Sequence, residues 1–249
     1  MTEEEWLTES DPKAMLDYLR GKVGERKLRL FMTACVRRLG HLLVVSIARE
    51  ALETAELYAD GHLQGTEQQL ASDEPWLDNR LYALERGCTL AAKGLSNAEW
   101  PRDWRDSEMA AYYATVAAGD CNRTSLMPDQ WTGQANWISE ASSDAVNYAS
   151  GNRNSDVAKV SERHAHAWLL FDIFGNPFRP IVADPAWLSP TVQSIASAIY
   201  QDRAFDRLPI LADALEEAGC TNADVLLHCR QPGEHVRGCW VVDLVLGMQ

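Results

Sequence analysis

One run of apolar residues constrains this chain more than any other feature. Leu28, Phe31, Met32, Cys35, Leu39, Leu42 and Leu43 recur at steps of three and four. That is the period of an α-helix with a single buried stripe, because 3.6 residues per turn return such positions to one face. Lys22, Arg26, Arg29 and Arg37 fall roughly opposite the stripe. After a break near 44–46, Ala48, Ala51, Leu52, Ala55 and Ala59 form a second stripe, with Glu50, Glu53, Glu56 and Asp60 off it and Gly61 closing the segment. A basic helix followed by an acidic one predicts a self-complementary hairpin.

Helix punctuation continues along the chain. Thr2 with Glu5 is a capping box, in which each side chain satisfies the other's orphan backbone N–H. Asp11-Pro12 opens a helix carrying Met15, Leu16 and Leu19, and Asp184-Pro185 and Ser189-Pro190 are starts of the same kind. Thr66 with Gln69, Ser72 with Pro75, and Asp106 before Met109 mark further starts. Trp100-Pro101 and Met127-Pro128 mark breaks, since the residue before proline avoids helical geometry. Gly151 to Asn154 reads as a turn, followed by a helix from about Ser155 to Phe174 capped by Gly175. Two prolines make Gly175 to Pro180 extended. Leu208, Leu211, Ala212 and Leu215 predict a helix ended by Gly219, and Thr221 with Asp224 caps another. The stretch from Cys239 to Leu246 is apolar on nearly every side, so periodicity alone leaves helix and strand open. A lone strand would have no partner, which favours helix. Alternating strand runs and Asn-Gly hairpin turns are absent elsewhere. The expectation is an all-α, irregular multi-helical array of about ten helices. It is read as one domain over 1–249, with 151–154 as the one candidate subdivision.

The net charge of −13 disfavours non-specific binding to nucleic acid or to anionic membrane, since like charges repel. The opening Met1-Thr2-Glu3-Glu4-Glu5 is the reverse of a basic export signal, and no apolar run approaches the ~20 residues of a spanning helix. With six cysteines in 249 residues, the chain is expected to be cytoplasmic with reduced thiols. No phosphate-binding glycine loop, dinucleotide fingerprint, Gly-x-Ser-x-Gly or His-Glu-x-x-His is present, so no common catalytic signature argues for an enzyme.

Both ends carry longer patterns. The first runs through Glu5-Trp6-Leu7-Thr8, Asp11-Pro12, Met15-Leu16, Arg26-Lys27-Leu28-Arg29-Leu30-Phe31 and Cys35-x-Arg37-Arg38. The second runs through Phe174-Gly175-Asn176-Pro177-Phe178-Arg179-Pro180, Ala204 to Pro209 and Glu216-x-Ala218-Gly219-Cys220. It continues with His228-Cys229-Arg230 and His235-Val236-Arg237-Gly238-Cys239-Trp240-Val241-Val242-Asp243. In these the chain resembles a family of bacterial proteins from planctomycete-type genomes. The resemblance implies a bacterial origin and brings no activity, ligand or catalytic residue with it.

Several constellations are candidates for chemistry. Cys220, His228, Cys229, His235 and Cys239 put five thiol or imidazole groups close together, and zinc is the cofactor such a group would take. His235 and Cys239 share a helix face if helix begins by residue 235. Against this, paired Cys-x-x-Cys knuckles are missing, His228 and Cys229 diverge on a helix, and buried cysteine often serves as a small hydrophobe. Asp243, inside an apolar run, reads as a structural buried acid with Arg179, Arg207 or Arg237 as partner. Glu162, His164 and His166 lack the Glu-x-x-His spacing of helical metal sites and are expected to be solvated or half-buried. Seven basic residues against one Glu from Arg20 to Arg38 form either a solvated helix face or a patch for nucleic acid. Trp100, Trp104, Trp131 and Trp137 are an aromatic excess of the kind enriched at interfaces.

These features suggest three functions. The leading expectation is a non-catalytic helical adapter binding another protein, with Arg26, Arg29, Arg37 and the four tryptophans as its face. The alternative is a metal-binding domain or metalloenzyme built on the C-terminal Cys/His group. The third is a nucleic-acid accessory protein using Arg20–Arg38.

Overall fold

A computed structural model describes residues 1–43, 46–62, 130–150 and 156–248. Among them are ten α-helices, two short 3-10 turns and no strand, so the array is all-α. The expected starts near Thr66, Ser72 and Asp106, the breaks at Trp100-Pro101 and Met127-Pro128, the turn at 151–154, and Trp100 and Trp104 lie outside the described residues. No described helix is long and apolar enough to cross a membrane. Contacts divide the chain into two compact units, Glu9–Ala167 and Met1–Thr8 with Trp168–Gln249.

The Glu9–Ala167 unit contains α2 (Pro12–Leu19), α3 (Glu25–Arg37), α4 (Ser46–Ala59), α5 (Trp131–Ala149) and the first part of α6 (Val157–Phe174). Helix α3 packs against both α4 and α5, and α2 packs against α5. The predicted stripe is the core: Leu28, Phe31, Met32, Cys35, Leu39 and Leu43 are all buried. The helix itself ends earlier than the stripe. Leu39 and Gly40 donate to Val36 and Arg37, an i→i+3 tightening that satisfies the terminal carbonyls.

The hairpin is self-complementary, as its charges predict. Arg37 holds Glu56 with two hydrogen bonds of 2.6 and 3.0 Å, and Arg26 reaches Asp60 at 3.2 Å. Arg29 corrects the expectation that this face is solvated. With helices covering α3 on two sides, every residue from Leu28 to Val36 is buried. The Arg29 guanidinium lies between the rings of Tyr58 (4.6 Å) and Trp131 (4.7 Å) and pairs with Glu25 at 2.7 Å.

The other unit contains α1 (Glu3–Thr8), the end of α6, α7 (Pro190–Asp202), α8 (Leu208–Glu217), α9 (Ala223–Arg230) and α10 (Trp240–Leu246). Helix α8 packs on α9 and α7, and α7 also packs on α10. Val192, Ile199, Leu211, Leu215, Val225, Val241, Val242 and Val245 form its core. The caps behave as their sequences dictate. Ser189 accepts from Val192 N–H and Asp184 from Ala186 N–H, and Gly175 takes the left-handed conformation (φ 61°) that ends α6. One cap differs: Asn222, not Thr221, receives Val225 N–H, so α9 starts one residue later. The ambiguous final stretch is helical, buried through Val241, Val242, Asp243 and Val245.

Candidate metal centre

The last turns of α6 present Asp172 from within an apolar run, where it is 1 % exposed. Helix α9 presents His228 from its last turn. Between α9 and α10 the chain runs without regular structure, and it carries His235 and Cys239 toward the same point. Three constraints shape this connection. Trp168 Nε1 donates to the carbonyl of Glu234 at 2.9 Å. Gly233 lies so close to the Trp168 ring that a Cβ there would stand 2.4 Å from Cζ2. Cys239 N–H donates to Val236 at 3.0 Å, immediately before α10 begins. Helix therefore starts at Trp240, and His235 reaches Cys239 through the fold of the loop rather than through helical pitch.

The four side chains converge. Each of Asp172, His228, His235 and Cys239 offers one ligand atom, and those atoms lie within 4.8 Å of one another. His228 Nε2 is 3.1 Å from Asp172 Oδ1 and 3.2 Å from Cys239 Sγ. His235 Nδ1 is 2.6 Å from the same Asp172 oxygen. Tetrahedral zinc, at its usual bond lengths, would set N···O edges of about 3.3 Å and N···S edges of about 3.6 Å. The two His228 contacts fall short of those edges by only a few tenths of an ångström, the 2.6 Å His235–Asp172 contact falls short by about 0.7 Å, and donor atoms up to 4.8 Å apart would draw together around an ion. Two nitrogens, one carboxylate and one thiol are also a donor set that suits zinc.

The surroundings are built to aim these groups. Asp172 Oδ2 accepts Val236 N–H at 2.9 Å, which fixes the carboxylate and leaves Oδ1 facing the cluster. Gln231 lies 3.1 Å from His228 Nδ1 through its amide, and an amide half-turn offers oxygen to an Nδ1–H. That second contact would leave Nε2 as the lone-pair nitrogen toward the cluster. The rings of His228 and His235 meet edge-on at 5.0 Å, and Trp240 lies 5.1 Å from His228. His235 turns Nδ1 toward Asp172, and the Gln231 backbone supports the same imidazole.

Charge and burial compete here. Burial opposes a charge on Asp172, but the hydrogen bonds of His228 and His235 outweigh it and hold the carboxyl below its usual range. Burial likewise opposes a charge on His235, and Asp172 overcomes it, raising the imidazole. Burial, reinforced by Asp172, drives the Cys239 thiol well above its ordinary value. A cation entering the cluster would therefore displace a proton from Cys239, the ordinary coupling of metal binding to proton release.

Of the five residues singled out in the sequence, three meet at this point. Cys220 (2 % exposed) and Cys229 (1 %) lie in the same hydrophobic core as Cys239 but outside the ligand group, and burial pushes the Cys229 thiol up to about 12. Asp172 escaped the sequence reading. The signal was available, since a carboxylate inside Ala167 to Phe174 is as conspicuous as Asp243 inside its own apolar run. Asp243 is indeed buried, at 2 % exposure. Among its candidate partners, Arg179 pairs with Glu3 at 2.5 Å and Arg237 stacks over Tyr200.

The other candidates sit in the Glu9–Ala167 unit. Arg20, Arg26, Arg29, Arg37 and Arg38 each face a carboxylate, which neutralises much of the basic run. Trp131 is buried and Trp137 is 41 % exposed. His166 corrects the expectation of a solvated or half-buried ring, since it is fully buried. Ser139 Oγ lies 3.0 Å from its Nδ1 and Glu162 Oε1 lies 3.2 Å from its Nε2, while Arg38 clasps Glu162 with two bonds of 2.6 and 3.0 Å. His164 is exposed. Comparison with protein-family models, curated proteins and solved structures found no match to this chain, so its own geometry carries the functional reading.

Proposed function

We propose that this chain is a metal-supported helical protein in which Asp172, His228, His235 and Cys239 hold a divalent transition-metal ion, zinc by preference. The observation that carries the reading is the convergence of four donor groups, Asp172, His228 and Cys239 buried and His235 half-buried, from α6, α9 and the connection into α10 within 4.8 Å. Four protein ligands complete a tetrahedron and leave no position for substrate, which is the pattern of a structural rather than a catalytic zinc. The ion would tie the end of α6 to a connection that has little regular structure of its own. Arg26, Arg29 and Arg37, nominated for an adapter or nucleic-acid face, are paired with carboxylates, which favours the cluster over those faces. A reducing, cytoplasmic setting suits a thiolate ligand.

Elemental analysis of protein purified without a metal-affinity tag tests the proposal. One zinc per chain is expected, falling to well below half in Cys239→Ser and His235→Ala. Cobalt substitution should add a thiolate-to-metal absorption band that Cys239→Ser removes. Wild-type protein that carries no stoichiometric metal and takes up none on titration would end the proposal.

A further inference from the structure

The first helix is docked as a ligand is docked. Helix α1 has only six residues, too few to be stable alone in water, so its contacts hold it in shape. Trp6 is fully buried. Its ring meets Phe171 edge-on at 5.7 Å, and its Nε1 donates to the carbonyl of Gly175 at 3.1 Å. That carbonyl lies just past the end of α6, where backbone acceptors lack helical partners. At the rim, Glu3 accepts from Asn176 Nδ2 at 2.7 Å and pairs with Arg179 at 2.5 Å. Asn176 is held for this by its own turn, its Oδ1 accepting Phe178 N–H at 3.0 Å. An aromatic anchor in a pocket, one directional hydrogen bond and a charged rim are the parts of a peptide-recognition site.

The chain's path makes the occupant separable. Residues Met1–Thr8 belong with Trp168–Gln249, whereas the chain from Glu9 onward builds the other unit. We infer that the corner formed by Phe171, Gly175, Asn176 and Arg179 is a recognition groove for a tryptophan-anchored acidic helix, filled in cis by α1 and open in exchange to α1 of a second copy. Exchange of an identical element is a low-cost route to association. Tethering gives the cis helix an effective concentration of about 1 mM, so it prevails in dilute protein and exchange appears as that concentration is approached. The inference stands independently of the metal reading.

The test uses the full-length chain and a labelled peptide of residues 1–10. Full-length Trp6→Ala, with its anchor removed, should bind the peptide saturably by fluorescence anisotropy. The wild-type chain, whose groove is filled, should bind at least about tenfold more weakly. A peptide carrying Trp6→Ala should bind about thirtyfold more weakly than the natural one, the loss expected of a buried aromatic anchor. If Trp6→Ala loses its helical circular dichroism, full-length Glu3→Lys serves instead, since it keeps Trp6 and breaks only the rim. It should take up the peptide more readily than wild type. Sedimentation of wild-type protein near 1 mM should show a reversible dimer that Trp6→Ala abolishes. A folded variant that binds no peptide at 1 mM, equal binding by wild type and variants, or a wild-type chain that stays monomeric near 1 mM would each overturn the inference.

Discussion

Replacing Arg38 by Met removes a guanidinium while keeping most of its apolar stem, and the consequence follows from where Glu162 sits. The Glu162 side chain is 9 % exposed. Burial opposes its charge, but hydrogen bonds from His166 and Arg38 outweigh burial and bring its pKa down to about 2 from 4.5. A lowering of that size corresponds to about 3 kcal/mol of stability at neutral pH. Because the folded value lies below the unfolded one, that stability is complete above about pH 4.5 and is lost as pH falls toward 2. Without Arg38 the carboxylate keeps its burial and loses one of its two partners, the situation in which breaking a buried pair costs about 3–5 kcal/mol. Urea unfolding at pH 7 should show a loss of about 3 kcal/mol for Arg38→Met, and its stability should fall off at higher pH than that of wild type. The double variant Arg38→Met with Glu162→Gln should recover more than half of the loss, since the stranded charge is then gone. A loss below about 1 kcal/mol, or a double variant no more stable than the single one, would refute the reasoning.

Other substitutions probe the remaining parts of the structure. Arg37→Ala removes the two hydrogen bonds of 2.6 and 3.0 Å that the guanidinium gives the buried Glu56 and should cost about 2–3 kcal/mol in urea unfolding. Gly233→Ala places a Cβ 2.4 Å from Trp168 Cζ2. It should destabilise by about 1–3 kcal/mol, read as a lower thermal midpoint, and alter tryptophan fluorescence. Asn222→Ala removes the acceptor for Val225 N–H and should cost about 1 kcal/mol, whereas Thr221→Ala should cost far less. Chelation of the metal-loaded protein should lower its thermal midpoint, with His235→Ala insensitive to the chelator.

Where the sequence reading held and where it failed has a physical pattern. Helix starts at Asp11-Pro12, Asp184-Pro185 and Ser189-Pro190, and the end at Gly175, depend on residues within one turn of each other. Such signals are complete before anything folds. The charge complement of α3 and α4 was legible for the same reason, since Arg37 and Glu56 belong to successive elements joined by a short connection. His235 and Cys239 were paired on the condition that helix begins by residue 235; helix begins at Trp240, and the loop brings the two together instead. Asp172 and His235 are 63 residues apart, and no periodicity relates positions at that distance.

The helical content, the identity of the buried stripes and most caps were decided by the amino-acid sequence alone, because they follow from backbone geometry and local hydrogen bonding. Tertiary packing decided the rest. It chose which side of α3 would be covered twice, burying Arg29 that the stripe alone placed in water. It brought three of the five sulfur and imidazole groups together, left Cys220 and Cys229 outside, and added an overlooked aspartate to the cluster. Those outcomes depend on contacts between segments distant along the chain, whose geometry exists only once the helices have packed.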